Sequence, residues 1–411
     1  MFKSLDIHTW RQIERIHIRF HDRLTILTGA NGSGKTTILN LISRHFGWAI
    51  PLVSTPKRDR KGVLSYITDF WNWRSLISKN EPRPSRHIIG QITYKDSQEA
   101  SLSIPANEQT FIIEIQPLQP VKGLHIPSHR PVYTYQHVPT IPTQPITREQ
   151  AFSNYFSQVQ SRYMGQGGRN VNFVIKETLL ALATFGYGNE VVVANYQARE
   201  LFEQFQWILK KVLPPKLGFE KIQIEMPEVL LMTKSGNFSL DGVSGGIASI
   251  IDMAWQIFMY SGDKDRFVVT IDEPENHLHP ELQQTILVGL LEAFPQVQFI
   301  VATHNPFIIS SVPDSKVYVL DYNSNNKVQS KYLDFVNKSG TANEILRDVL
   351  GLPFTLPIWA EKRVESIIRK YSQMKISEAS LSQLRAELAD IGLEKLIPDA
   401  IAKIVEGQQG Q

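Results

Sequence analysis

The sequence has 411 residues, of which 42% are hydrophobic and 20% are charged, and its formal net charge is +3. These values fit folded α/β domains with a sizeable core, and the small charge argues against a chain whose main role is to coat nucleic acid. The sequence has no cysteine, which excludes disulfides and thiolate zinc sites, and without a signal peptide or an apolar run of 18 residues we expect a cytoplasmic protein with no membrane span.

The N-terminal part of the chain is predicted to be rich in strands. Residues 3–27 predict three short strands that lead into a glycine-rich loop and a helix. Residues 51–84 contain prolines, basic residues and the tryptophan pair of FWNW, and we interpret them as a partly helical insertion. Residues 88–116 alternate in polarity and predict a small antiparallel β subdomain, and the proline-rich segment that follows predicts an extended connector.

The glycine-rich loop GANGSGKTT, which begins at Gly29, matches the phosphate-binding pattern G-x-x-x-x-G-K-[ST]. Glycines let backbone N–H groups surround a phosphate, Lys35 is expected to reach the β- and γ-phosphates, and the Thr36 hydroxyl is expected to bind Mg²⁺. The alternative is a turn that carries a lysine by chance, and the strand before the loop and the helix after it disfavour this alternative. The predicted nucleotide-binding residues are Asn31, Gly32, Ser33, Gly34, Lys35, Thr36 and Thr37.

A second glycine-rich segment follows a run of predicted helices over residues 147–213 and a predicted strand pair. In VSGGIAS, the residues Ser244, Gly245 and Gly246 begin a helix and expose N–H groups and a hydroxyl to an anion. Because the chain already has one phosphate loop, we expect this segment to face the γ-phosphate held by a partner subunit. The alternative is an ordinary flexible turn.

The stretch FVVTIDEPENHLHP predicts a buried strand that ends at Asp272 and Glu273. Such a strand can deliver Asp272 to Mg²⁺, and Glu273 can polarise the attacking water as a general base. The next strand ends at His304, which we expect to contact the γ-phosphate. The predicted catalytic residues are therefore Glu273, His304 and Lys35, and the alternatives are a helix-capping acidic turn and an ordinary strand-end histidine.

The ordered set GANGSGKTT, VSGGIAS, TIDEPENHLHP and ATHNPF resembles ABC-type ATPases of the RecF, SMC and OLD branch. Within that branch it is similar to the stand-alone ATPases of bacterial anti-phage systems, such as the Septu ATPase. The resemblance implies an α/β P-loop NTPase fold of the ABC-ATPase type, with an antiparallel β subdomain, a helical lobe that carries the signature segment Ser244–Gly246 and a helical C-terminal extension. It implies ATP and Mg²⁺ as cofactors, and a homodimer that holds two ATP molecules between the phosphate loop of one subunit and the signature segment of the other. A larger assembly is left open.

The resemblance also implies a glutamine that joins the metal site from a loop between the lobes. Gln136 is the predicted match, with Gln91, Gln116 and Gln119 nearby as alternatives. The sequence lacks the long coiled coil of SMC relatives, and no acidic nuclease pattern follows Leu320. We therefore expect a separate effector protein, such as a nuclease, as the partner.

We divide the chain into four predicted parts. Residues 1–146 and 263–335 form the ATPase lobe, residues 147–262 the helical lobe, and residues 336–411 the C-terminal extension. The extension is expected to pack on the ATPase body or to dock an effector.

Two further patterns leave alternatives open. The basic stretch Thr55–Gly62 can contact the DNA backbone or form a solvated face. His277 and His279 invite a metal interpretation, but no third ligand is evident and a role at a helix start or an interface is favoured. The sequence predicts an ATPase that regulates a defence effector, and the rival hypotheses are a RecF-like DNA-repair ATPase and a weakly hydrolysing, nucleotide-gated scaffold.

Overall fold

The computed structural model describes most of the chain in two compact units, Met1–Ile345 and Leu346–Gln411. The described residues are 1–58, 62, 64–68, 85–130, 132–141, 146–163, 165–262, 264–333, 342–350, 358–372, 374, 377–390, 392–394, 397, 398, 400, 401 and 404.

A single large sheet organises the first unit. Among the described residues it has eleven strands in the order β10-β8-β7-β1-β2-β18-β17-β3-β16-β15-β11. These strands are β1 (Phe2–Trp10), β2 (Ile13–Arg19), β3 (Leu24–Gly29), β7 (Arg86–Tyr94), β8 (Glu99–Pro105), β10 (Glu114–Gln116), β11 (Gly123–Ile126), β15 (Phe267–Asp272), β16 (Val297–Ala302), β17 (Lys316–Tyr322) and β18 (Val328–Leu333).

The centre of this sheet is parallel and largely buried. Strands β11, β15, β16, β3 and β17 pair in parallel, in that order. Every residue of β3, β15 and β16 is buried, which explains their continuous apolar sequences, since helices cover both faces of a parallel sheet. Asp272 pairs with Ala302 and Ala302 with Leu27, so the carboxyl ends of three neighbouring strands lie at one edge.

The predicted antiparallel β subdomain is the other half of the same sheet. Strands β1, β2, β7, β8 and β10 pair antiparallel, and β2 joins the centre through β18. The insertion was expected to be partly helical, but its described part forms short strands, while the tryptophan pair and the middle of the basic stretch lie outside the described residues. The short strands of the insertion are β4 (Leu52–Val53), β5 (Thr55–Arg58) and β6 (Leu64–Ile67). Strand β4 pairs with a further short strand, β9 (Thr110–Phe111).

Helices and a three-stranded sheet make up the rest of the first unit. Phe205 and Trp255 are among the largest fully buried side chains, and their rings pack edge-on with centroids 4.9 Å apart. The helices are α1 (Lys35–Ser43), α2 (Arg148–Tyr163), α3 (Val171–Tyr187), α4 (Tyr196–Val212), α5 (Gly245–Ser261), α6 (Pro280–Ala293), α7 (Pro306–Ser310) and α8 (Ala342–Glu344). Short 3₁₀ turns lie at Arg44–Phe46, Pro215–Leu217 and Leu240–Gly242, and a π-turn at Ile345–Val349 begins at the last residue of this unit. The small sheet consists of β12 (Phe219–Glu225), β13 (Glu228–Thr233) and β14 (Gly236–Ser239).

The second unit is helical in its described part, as the sequence predicts for a C-terminal extension. Its helices are α9 (Ile358–Ser372) and α10 (Glu378–Asp390). Apolar residues from both helices, with two from the chain beyond them, form a separate core: Val364, Ile367, Tyr371, Leu384, Leu388, Ala400 and Ile404. Across the described ranges of both units, no helix has the length and apolar character required to cross a bilayer.

Candidate functional site

The phosphate loop connects β3 to α1 at the carboxyl edge of the parallel strands. Gly34 directly precedes α1 with φ of +99°, a left-handed conformation that favours glycine, and it has no side chain to cap the first N–H groups of the helix. These N–H groups are therefore available to an anion. Of the predicted binding residues in this loop, Asn31, Gly32 and Thr36 are exposed, Gly34 and Thr37 are half-buried, and Ser33 and Lys35 are buried.

The Lys35 ammonium lies inside the loop that it is expected to serve. It donates to the carbonyl oxygens of Gly29 at 2.8 Å and Ala30 at 3.0 Å. Burial lowers the pKa of Lys35, whereas the nearby carboxylates of Glu273, Asp272 and Glu275 raise it. A phosphate entering the loop offers the ammonium a charged acceptor in place of two neutral carbonyls.

Thr36 and Asp272 come together although 236 positions separate them in the chain. The Thr36 hydroxyl donates to Asp272 Oδ2 at 2.9 Å. Asp272 is 4% exposed, and its Oδ1 is buried with no hydrogen-bond partner among the described residues. Burial raises the pKa of Asp272, and the Thr36 hydroxyl opposes this rise. A hydroxyl and a carboxylate with an unpartnered oxygen fit Mg²⁺, which prefers oxygen ligands and completes its shell with water and phosphate.

Glu273 directly follows Asp272 and has a left-handed backbone, with φ of +48°. Its N–H donates to the Ala302 carbonyl at 2.8 Å, and its Oε2 accepts from Asn276 Nδ2 at 3.0 Å. His304 Nδ1 lies 3.3 Å from Glu273 Oε1 and 3.8 Å from Glu275 Oε1. The structure therefore brings Glu273 and His304 together at the ends of β15 and β16, beside Lys35, Thr36 and Asp272.

The signature segment lies at the N-terminus of α5. Ser244 and Gly245 are exposed, whereas Gly246 is buried against the main chain of His277, where a Cβ on Gly246 would lie 2.9 Å from the carbonyl oxygen. The Ser244 hydroxyl caps the helix by accepting from Ile247 N at 3.5 Å. An exposed serine and glycine at a helix start agree with a site offered to another molecule, and contact with a partner's nucleotide stays a prediction.

Gln136 is found beside a buried lysine. Its main-chain carbonyl accepts from Lys176 Nζ at 3.1 Å, and Lys176 also pairs with Asp241 at 2.8 Å and Glu228 at 2.6 Å. Asp241 precedes the signature segment by three residues, so this network joins the chain around Gln136 to that segment. The metal role of Gln136 stays a prediction.

His279 caps a helix. Its Nδ1 accepts from Glu281 N at 3.4 Å at the start of α6, as the favoured helix-start interpretation predicts. No group of three or more histidine, aspartate and glutamate side chains arranged to hold a metal occurs in the described part of the chain.

Three further residues complete the site: Asn276 and Thr303, which the sequence motifs do not indicate, and Arg130, for which the sequence leaves an approach to the nucleotide or to the dimer interface undecided. Arg130, in the connector after β11, donates to the carbonyls of Asp272 and Glu273, and Asn276 donates to the Glu273 carboxylate. The Thr303 hydroxyl donates to Glu275 at 2.6 Å, next to His304. The sequence contains one signal for them: each lies within four residues of a strand end at the same edge of the sheet.

Two family descriptions match parts of the chain. Residues 4–118 match "AAA domain", and residues 226–310 match "AAA domain, putative AbiEii toxin, Type IV TA system". The first stretch contains the phosphate loop, and the second contains the signature segment and the strand that ends at Asp272. The fold and the site are those of a P-loop nucleotide-binding protein, and these matches confirm its resemblance to ABC-type ATPases drawn from the motifs.

Among individual proteins, the chain is similar to Septu proteins and to a probable ATPase of a retron. It is 24% identical to Septu protein PtuA of Bacillus thuringiensis over 92% of both chains. It is 28% identical to the Retron Vc95 probable ATPase of Vibrio cholerae, over 44% of this chain and 37% of the relative. It is 38% identical to Septu protein PtuA of Bacillus mycoides over 20% of this chain, and there it spans only 12% of the relative. A solved SMC head domain from Thermotoga maritima aligns with 81% of this chain and 99% of its own, at 14% identity and a TM-score of 0.44.

Proposed function

We propose that this chain binds and hydrolyses ATP, and that ATP closes a homodimer which regulates a separate effector in bacterial anti-phage defence. One observation carries the proposal: Lys35, Thr36, Asp272, Glu273 and His304 meet at the carboxyl ends of three adjacent parallel strands. In open α/β sheets this edge is where ligands bind.

The chemistry of the proposed site follows from the contacts of its residues. When bound, Mg²⁺-ATP supplies the γ-phosphoryl group and the metal charge that offsets charge developing on it. Thr36 and Asp272 provide the oxygens for the metal, and Lys35 exchanges its two carbonyl acceptors for phosphate oxygens. Glu273, oriented by Asn276, accepts a proton from the attacking water, and His304 lies next to it.

The exposed signature segment supports the dimer. Ser244 and Gly245 are open to another molecule, and Gly246 is packed against His277, four residues after Glu273. A nucleotide bound by one subunit can therefore meet this segment of a second subunit, as the motif resemblance implies. A larger assembly is left open.

The effector is proposed from the relatives. The match to Septu protein PtuA extends over 92% of both chains, and two retron ATPases also match. We propose that this chain is likewise the ATPase of a defence system, acts in the cytoplasm and controls a partner protein, with a nuclease as the expected partner. Nucleic acid is left open as a further ligand.

Steady-state ATP turnover tests the hydrolysis directly. We expect Glu273→Gln to lower kcat between about 100- and 10,000-fold, because it removes the general base, while ATP still binds. The control is Glu292→Gln, the same change at an exposed glutamate of α6, which should leave kcat unchanged. Equal, near-zero rates in wild type and Glu273→Gln would support the scaffold hypothesis instead.

Capture of partners tests the regulatory role. Glu273→Gln, loaded with ATP in its native host, should retain a stoichiometric effector protein, whereas Lys35→Ala should not. Retention of DNA alone, only in the ATP-loaded form, would contradict the proposed role and favour the RecF-like DNA-repair hypothesis.

A further inference from the structure

Arg130 is a buried arginine that is hydrogen-bonded to the main chain of Asp272 and Glu273. It lies four residues after β11, which pairs in parallel with β15. Its Nη2 donates to the main-chain carbonyls of Asp272 at 3.1 Å and Glu273 at 3.0 Å. The residue is only 8% exposed, so both bonds are shielded from water.

The two carbonyls that Arg130 holds flank an unfavourable backbone conformation. Glu273 has φ of +48°, a region that residues other than glycine rarely adopt and that costs about 1–3 kcal/mol. The Glu273 N–H is fixed by Ala302, and its carbonyl is fixed by Arg130. The peptide groups on both sides of the Glu273 Cα are thus anchored, and the direction of its side chain is set by these anchors.

A buried guanidinium requires negative charge around it. Burial lowers the pKa of Arg130, and the carboxyl groups of Asp252, Glu275, Asp272 and Glu273 raise it. Asp252 belongs to α5, the helix that begins at the signature segment. The acidic groups that influence Arg130 thus belong to α5 and to the acidic turn, residues 272–275, which follows β15.

Several groups in this region keep unused hydrogen-bonding capacity. Arg130 Nε and Nη1, Tyr133 Oη, Gln256 Oε1 and Glu275 Oε2 are buried without a hydrogen-bond partner among the described residues. These groups belong to the connector, to α5 and to the acidic turn.

We infer that Arg130 is a positioning residue for ATP hydrolysis: it holds the main chain at Asp272 and Glu273, and so aims the Glu273 carboxylate at the attacking water. This inference rests on the proposed function. Arg130 itself touches neither the nucleotide nor the water in this role.

Replacement of the Arg130 guanidinium tests the inference, because it is expected to change kcat much more than KM for ATP. Arg130→Gln is expected to lower kcat on the order of 100-fold, as small displacements of a catalytic group do, with little change in KM for ATP. Arg130→Lys is expected to recover part of kcat, because an ammonium can still donate to both carbonyls. Arg266→Gln is the matched control, since Arg266 is exposed just before β15, at the opposite end of the strand from Asp272.

Thermal unfolding and ATP binding are measured on the same variants. If Arg130→Gln keeps the kcat of the wild type, the inference is wrong. It is also wrong if Arg130→Gln and Arg130→Lys lose kcat, ATP affinity and thermal stability in parallel, because this is the pattern of a purely structural residue. A wild-type protein without ATP turnover overturns the proposed function and the inference together, whereas normal turnover in Arg130→Gln overturns the inference alone.

Discussion

At the scale of single residues, the site depends on how two adjacent carboxylates are given different surroundings. Asp272 is buried and bonded to Thr36, whereas Glu273 is partly exposed and bonded to Asn276. The proposed function gives these two side chains different roles, with Asp272 binding the metal and Glu273 accepting a proton from water. Arg130 stabilises this arrangement through the main-chain carbonyls of both residues, and Asn276 stabilises it through the Glu273 carboxylate.

Asp252 gives a prediction about pH. Burial raises the pKa of Asp252 to about 7, although Arg130 opposes the rise. The other groups that face it are Tyr155, which donates to Oδ1, and Gln256, which donates to Oδ2 at 3.0 Å. The folded protein therefore keeps a proton that the unfolded chain releases above its ordinary pKa of 3.8, so stability falls as pH rises towards 7 and is then constant.

Asp252→Asn removes this pH dependence, since asparagine does not ionise. The melting temperature of the variant minus that of the wild type is expected to rise from about pH 5 to about pH 7 and to level off above. Thermal unfolding across a pH series measures it, and the subtraction cancels the other titrating groups. A difference that does not change with pH would contradict the assignment of the raised pKa to Asp252.

At the scale of elements, the strand–loop–helix unit from β3 to α1 depends on close contacts that the sequence motif requires. Gly29 ends β3 with φ of +134°, and a Cβ there would lie 2.2 Å from the Leu320 carbonyl oxygen of β17. Gly47, after α1, also has a positive φ of +84°, but a Cβ there would have no atom of the described residues within 4 Å. Substitution of either glycine causes backbone strain, whereas only substitution of Gly29 also causes steric overlap, so the two variants distinguish these costs.

Gly29→Ala is expected to destabilise the protein by more than about 3 kcal/mol, because strain and overlap add. Gly47→Ala is expected to cost only about 1–2 kcal/mol, from backbone strain alone. Denaturant unfolding of both variants gives the comparison. Equal losses would indicate that the contact between β3 and β17 is not as close as the structure has it.

The elements also explain what the sequence predicts and what it does not. The phosphate loop and the strand that ends at Asp272 can be predicted because their signals are local. The loop has a fixed glycine spacing, and the strand is a continuous apolar run. The contact of Arg130 cannot be predicted from the sequence, since its acceptors are main-chain carbonyls 142 and 143 positions away. Every residue has such a carbonyl, so the sequence does not indicate which one is the acceptor. The same limit applies to β18, whose parallel pairing with β2 makes the antiparallel strands part of the central sheet.

At the scale of the whole molecule, the proposed function assigns each nucleotide to two copies of the chain. The phosphate loop and the acidic turn meet at the carboxyl edge of the sheet, while Ser244 and Gly245 are exposed at the start of α5. The proposal is that a second copy supplies these two exposed residues to the nucleotide. Lys176 pairs with Asp241, three residues before the signature segment, and Arg130 donates to the Glu273 carbonyl in the acidic turn.

The mass of Glu273→Gln in solution, with and without Mg²⁺-ATP, tests this central claim most directly. Light scattering during size-exclusion chromatography should give a doubled mass only when ATP is present. Adding Ser244→Arg should prevent the doubling while ATP still binds, and Lys35→Ala should lose both. A mass that stays unchanged at saturating ATP, with binding of ATP confirmed separately, would contradict the account.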